Sequence, residues 1–178
     1  HGSGLDHRSW ALQTRWFAYN GFGVLAPDFP GHSLSKGAPC VTIEDSGKWL
    51  ADFLDAMGVR EAHVVGHSQG FLSALELSKL RPTALKSLIG VGTAAAIPVN
   101  PMLIETAGRS PMKAADLMLQ WGFGHQTQMG VSATPGMQPI AIGRQIMGNN
   151  PLAIDLQCCA DYWGGVDAVG LVTAPSAM

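Results

Sequence analysis

Apolar and polar positions change period several times along the chain, and each change marks a new element. Arg8 to Asn20 carries a helical pattern that Gly21 closes, since glycine takes the left-handed backbone on which helices end. Phe22 to Ala26 is a continuous apolar run stopped by Pro27, which predicts a short buried strand. Thr42-Ile43-Glu44-Asp45 resembles a capping box, and Ile43, Gly47, Leu50, Leu54 and Met57 then recur at helical spacing until Gly58. Ala62 to Gly66 predicts a second buried strand, and Gln69 to Leu80 a helix apolar enough to be covered on both sides, ending before Arg81-Pro82. Leu85 to Val91 predicts a third strand and Gly170 to Ala174 a fourth.

Strands alternating with helices predict an α/β domain, with a doubly wound, mostly parallel sheet covered on both faces. The interval between the last two strands, about 75 residues, is too long for one crossover. It is rich in helical pattern broken by Gly and Pro. Residues 97–163 are therefore expected to form a helical cap inserted into a core made of 1–96 and 164–178.

Composition narrows the function classes. With 178 residues, 47% hydrophobic and 13% charged, the chain can bury one substantial core. A formal net charge of -2 without a Lys/Arg cluster leaves no footprint for phosphates, so nucleic acid is not an expected partner. No uninterrupted apolar run reaches the roughly 20 residues of a membrane helix, and a soluble domain is expected. Cys40 and the adjacent pair Cys158-Cys159 give neither a paired disulfide framework nor metal-ligand spacing. No metal or other cofactor is expected. A cytoplasmic location fits the cysteine usage, although the chain opens on His1 and a signal peptide would not be visible here.

The candidate chemistry lies between the second strand and its helix. Gly66-His67-Ser68-Gln69-Gly70 has the G-x-S-x-G spacing of a nucleophile elbow. With 22 glycines in the chain the pattern alone is weak, and its place at a strand-to-helix turn is what gives it meaning. Small residues two before and two after let the backbones approach closely enough to expose the Ser68 hydroxyl. The following helix aims free N–H groups and the positive end of its dipole at that oxygen. Upstream, His1-Gly2-Ser3-Gly4 can supply a second donor. The expected oxyanion donors are the backbone N–H groups of Ser3 and Gln69.

These motifs resemble the α/β-hydrolase superfamily in order and spacing: the His-Gly loop at His1-Gly2, the stretch Val24-Leu25-Ala26-Pro27-Asp28-Phe29-Pro30-Gly31-His32-Ser33, and the elbow at 66–70. The tail from Val172 to Met178 resembles the late strand that leads to the acid-bearing loop. The resemblance implies a serine hydrolase of the capped esterase or lipase branch, cleaving a carboxylic ester or related acyl bond through an acyl-enzyme on Ser68. It implies a small hydrophobic ester or acyl substrate and leaves the oligomeric state open. Acyl transfer and carbon–carbon bond hydrolysis use the same residues and stay open, as does a ligand-binding homologue without catalysis.

The family order is Ser, then Asp or Glu, then His. The resemblance therefore implies a catalytic acid and base beyond Met178, and a fragment truncated at both ends that would be nearly inactive and poorly soluble alone. Five of the six histidines precede Ser68. His125, with Asp116 or Asp155 to orient it, is a substitute base only in principle, and its expected role is that of a polar cap-loop residue. Asp28 and His32 are expected to build a turn in which Asp28 can bond its own backbone. Trp10 and Trp121 are expected to pack. Met102, Met112, Met118, Met129, Met137 and Met147 suit either plain cap core or an adaptable apolar pocket.

Overall fold

A computed structural model describes residues 1–131, 136 and 138–178, and the chain divides into two compact units. Met137 lies outside the described residues. The first unit comprises 1–3, 38–99 and 154–178, and the second 4–37 and 100–153, bounds other than those of the cap expected at 97–163.

In the first unit, helix α2 (Ile43–Ala56) starts at Thr42, whose hydroxyl accepts the Asp45 N–H at 3.0 Å. Strand β1 (Ala62–His67) leads through Ser68 into α3 (Gln69–Leu80), and β2 (Leu85–Val91) follows a 3-10 turn at Pro82–Ala84. β1 and β2 run parallel in register from His63↔Ser87 to His67↔Val91. Helix α3 packs against both strands and α2, and its residues 69–78 are all buried, as its unbroken apolar pattern predicts.

Two strand expectations fail here. Residues 22–26, in the second unit, are not in a strand, and Phe22 and Leu25 are exposed. Among the described residues no strand pairs with them, and an apolar run without a ladder partner has neither the hydrogen bonds nor the neighbours that define a strand. Residues 170–174 also differ: α9 (Gly165–Leu171) packs Ala168 into the core beside α3, and the late strand comes afterwards as Ser176–Ala177, parallel to β2. The described sheet thus has three parallel strands, in the order β1, β2, then Ser176–Ala177.

The interval before α9 is helical, as expected: α4 (Pro101–Arg109), α5 (Pro111–Gly122), α6 (His125–Gln128), α7 (Pro139–Asn149) and α8 (Leu152–Asp161). Proline opens α4, α5 and α7, at the one helical position where its missing N–H costs nothing. In the second unit α5 packs on α4 and α7, and Gly143 of α7 lies so close to Leu119 that a Cβ would come within 2.7 Å of Leu119 Cδ2. Met147 is buried and Met102 and Met129 are exposed, which matches a mixed role more than a methionine-lined pocket. Trp121 is exposed at 64%, against the packing role expected of it.

Helix α1 (Ala11–Tyr19) belongs to the second unit, after a 3-10 turn at His7–Trp10. The Asp28 contacts described run to His7 and not to its own backbone. Its carboxylate accepts the His7 N–H at 2.7 Å and pairs with the His7 ring at 2.9 Å. Asp6 is fully buried, where desolvation favours its neutral form, yet hydrogen bonds from Arg8 and Asn150 outweigh this and hold its carboxyl below the usual carboxylate range. Asn150 further donates to the Gly4 and Leu5 carbonyls and accepts the Ser33 N–H at 3.0 Å. Asp6, His7 and Asp28 are near enough together to suggest metal ligands, but these pairings already occupy their atoms.

Candidate active site

Ser68 and the described residues in contact with it that are named below lie in the first unit. Ser68 sits at φ 51°, ψ −122°, a left-handed backbone that a non-glycine residue adopts at a cost on the order of 1–3 kcal/mol. The surroundings over-determine that geometry. Ser68 N–H donates to the Val91 carbonyl at 3.1 Å, and its carbonyl accepts from Phe71 N–H and from the Thr93 hydroxyl, both at 3.0 Å. A Cβ on Gly66 would stand 2.5 Å from the backbone N and Cα of Phe71, so the elbow's first glycine is required by the contact between strand and helix.

The His1–Ser3 loop lies directly on the elbow. A Cβ on Gly70 would come within 2.7 Å of the His1 carbonyl oxygen, and one on Gly2 within 2.7 Å of His67 Nδ1 and 3.2 Å of Ser68 Cβ. Glycines at 2, 66 and 70 therefore bring three backbone segments together around Ser68. Ser3 and Gln69 are both buried beside it. Gln69 opens α3, where backbone N–H groups have no acceptor inside the helix. Its side-chain amide donates to Asp155 at 3.4 Å, and the Ser3 hydroxyl contacts Cys159 Sγ at 3.6 Å.

The ionisable neighbours are subdued. Burial pushes the His67 pKa below the ordinary 6.5 and favours the neutral ring. Its imidazole is held between Gly2 and Gly92, so its place is fixed by the elbow. Burial pushes the Cys159 thiol up to about 11 and Cys158 up to about 12, which makes both poor nucleophiles at neutral pH. Both sit on α8, as the adjacent pair predicts, and make different contacts: Cys158 donates to the Cys40 carbonyl. His125 lies in the second unit, exposed at the start of α6, and Asp116 of that unit is engaged by Arg144. No described residue is hydrogen-bonded to the Ser68 hydroxyl.

A cavity of about 280 Å³ opens beside Ser68, lined by residues 92–94 and 96–98 without a charged side chain. Thr93 was not singled out by its sequence. Its acceptor is a backbone atom 25 positions upstream, for which no local pattern exists.

Residues 1–130 match the family model described as alpha/beta hydrolase fold. The chain belongs to that family. This α/β-hydrolase-fold chain is 35% identical over 100 residues to the dihydrolipoyllysine-residue acetyltransferase component of the acetoin cleaving system of Cupriavidus necator, covering 53% of the chain and 26% of that protein. It is 30% identical over 119 residues to the 2-hydroxy-6-oxononadienedioate/2-hydroxy-6-oxononatrienedioate hydrolase of Burkholderia vietnamiensis, covering 64% of the chain and 41% of that protein. Among solved structures it superposes on a thermophilic esterase with a TM-score of 0.71 at 25% identity, covering 99% of the chain and 66% of the esterase. The α/β-hydrolase-fold chain thus spans from a quarter to two thirds of these relatives' lengths. None of its described helices is long and apolar enough to cross a membrane.

Proposed function

We propose that the protein is a serine hydrolase that cleaves a carboxylic ester or related acyl bond through an acyl-enzyme on Ser68. The observation that carries this reading is the backbone of Ser68: a non-glycine residue held at positive φ between a parallel strand and a buried helix, with a glycine loop laid against it. Strain of this kind persists where the site uses it, and here Ser68 lines an open cavity.

In this reading the Ser68 oxygen attacks the acyl carbon while its proton passes to a general base. The carbonyl oxygen becomes an oxyanion between the N–H groups of Ser3 and Gln69, each worth about 3 to 4 kcal/mol in the transition state. Collapse expels the alcohol, which takes the proton, and water then releases the acid by the same route in reverse. The uncharged cavity beside Ser68 suits a small hydrophobic acyl or alcohol group. We assign the base and its acid partner to sequence beyond Met178, and residues 97–163 to a cap that selects the substrate. Without a base a serine hydroxyl is a weak nucleophile at neutral pH, so residues 1–178 alone are expected to turn over p-nitrophenyl esters at little above the buffer rate.

Likeness to the Burkholderia vietnamiensis hydrolase supports a second reading, carbon–carbon cleavage by the same elbow. One experiment addresses both: p-nitrophenyl butyrate, 2-hydroxy-6-oxononadienedioate and a fluorophosphonate probe are offered to the protein carrying its natural flanking sequence, as wild type and as Ser68→Ala. The expected outcome is labelling and ester turnover in wild type, with a loss of at least about a thousandfold in Ser68→Ala. Equal turnover in the two proteins removes the nucleophile assignment. Preference for the dienedioate establishes the second reading.

A further inference from the structure

We infer that Thr93 is a positioning residue for the Gln69 oxyanion donor beside the nucleophile, acting through the Ser68 carbonyl; this rests on the proposed roles of Ser68 and Gln69. The end of β2 holds the elbow at two points. Val91 accepts the Ser68 N–H at 3.1 Å, and two residues later the Thr93 hydroxyl donates to the Ser68 carbonyl at 3.0 Å. The hydroxyl has one proton and two acceptors in reach, and the Ser68 carbonyl is nearer than its own neighbour, the Ala94 carbonyl at 3.3 Å. Between the two anchors the chain bends at Gly92, which has φ 54°.

The placement is built rather than incidental. The Thr93 methyl lies on Gly90, where a Cβ would approach it to 2.9 Å, so β2 carries glycine where the threonine packs. The methyl is thereby seated on the strand while the hydroxyl faces the elbow. The Ser68 carbonyl also takes the Phe71 N–H, the first turn of α3. Thr93 thus ties the strained peptide after Ser68 to the sheet, and with it the Gln69 N–H, because that carbonyl and that N–H belong to one planar peptide unit. Loss of the hydroxyl leaves this carbonyl held by the Phe71 N–H alone and loosens the peptide against rotation about its Cα–Cα axis. That motion swings the Gln69 donor away from its place while the Ser68 side chain, carried by the Cα at the end of that axis, stays where it is. Thr93 also lines the cavity at Ser68, so a role in substrate contact is the alternative that the test must separate.

The test compares wild type, Thr93→Val, Thr93→Ser, Thr93→Ala and Ser68→Ala in the protein with its natural flanking sequence, by ester kinetics, by fluorophosphonate labelling rate and by thermal unfolding. Thr93→Val is expected to lower kcat and the labelling rate by at least about tenfold with KM within about twofold, since the loss falls on the transition state. Thr93→Ser is expected to stay within about threefold of wild type. Serine and alanine both lack the methyl and differ only in the hydroxyl, so that pair decides the matter if valine disturbs folding. Wild-type kcat and labelling in Thr93→Val, a change in KM alone, or equal losses in Thr93→Ser and Thr93→Ala would each overturn the inference. Retained turnover in Ser68→Ala removes the nucleophile and this inference with it, whereas loss there with an unaffected Thr93→Val removes this inference only.

Discussion

At the scale of single residues, the candidate site is made mostly by what is absent from side chains. Gly2, Gly66 and Gly70 are each in contact with backbone or ring atoms that leave no room for a Cβ. The side chain against Gly2, His67, has a consequence for stability. Its pKa is lowered in the folded chain, so between that value and the ordinary 6.5 the unfolded chain binds more protons than the folded one. Stability from this group is therefore complete above about pH 6.5 and declines as pH falls toward the folded value. Asp6 acts later in the same direction, because its lowered pKa makes its contribution fade only below the ordinary 3.8. Thermal unfolding followed from pH 8 to pH 5 is expected to show a falling Tm in wild type and a shallower fall in His67→Gln, whose amide does not titrate. An identical slope in both proteins would mean that His67 is not held in its neutral form.

At the scale of elements, α2 shows how far a local signal reaches. Thr42 was legible as a cap because its hydroxyl serves an N–H three residues away. Thr42→Ala is expected to cost about 1 kcal/mol, seen as a lower urea midpoint with unchanged m. A shift under about 0.3 kcal/mol would show that the cap is idle. β1, α3 and β2 were legible for the same reason, since apolar runs bounded by Gly and Pro are local signals. The burial expected of β1 is not met: Val65 is exposed, as are Ile89 and Val91 of β2. The misread segments are those whose state depends on distant partners. Residues 22–26 have a strand's composition without a ladder, and Gly165–Leu171 takes helix because Ala168 is drawn against the core beside α3. In the candidate site, Ser68, Ser3 and Gln69 could be named from a spacing. Thr93 could not, and Asp155, named only as a partner for His125, accepts from the Gln69 side chain instead; each contact arises only through the fold.

At the scale of the whole molecule, the balance of buried and exposed apolar surface differs among the described elements. Helix α3 is almost entirely enclosed, and its own buried Glu76 is satisfied by Tyr162 at 2.5 Å and Lys79 at 2.8 Å. Helix α1 has no buried residue at all, and Trp16, Phe17, Tyr19, Phe22 and Leu25 are exposed within ten positions of one another. Trp16, Phe17 and Phe22 pack edge-to-face at centroid distances of 5.0 and 5.5 Å, so the aromatic groups form one patch. Contiguous apolar surface of that kind marks a contact site or an aggregation liability. In the sheet, Val65, Ile89 and Val91 are also exposed, and the outer edge of β1 has no partner among the described residues. Unpaired edges with apolar side chains template association. Residues 1–178 expressed alone are therefore expected to elute from size exclusion well ahead of a monomer at micromolar concentration and to bind an apolar dye. Replacing Trp16 and Phe22 by polar residues, which removes no buried contact, is expected to shift elution toward the monomer. A monodisperse monomer with cooperative unfolding in the unmodified chain would show that these surfaces are quiescent and that the exposed aromatics of α1 do not drive association.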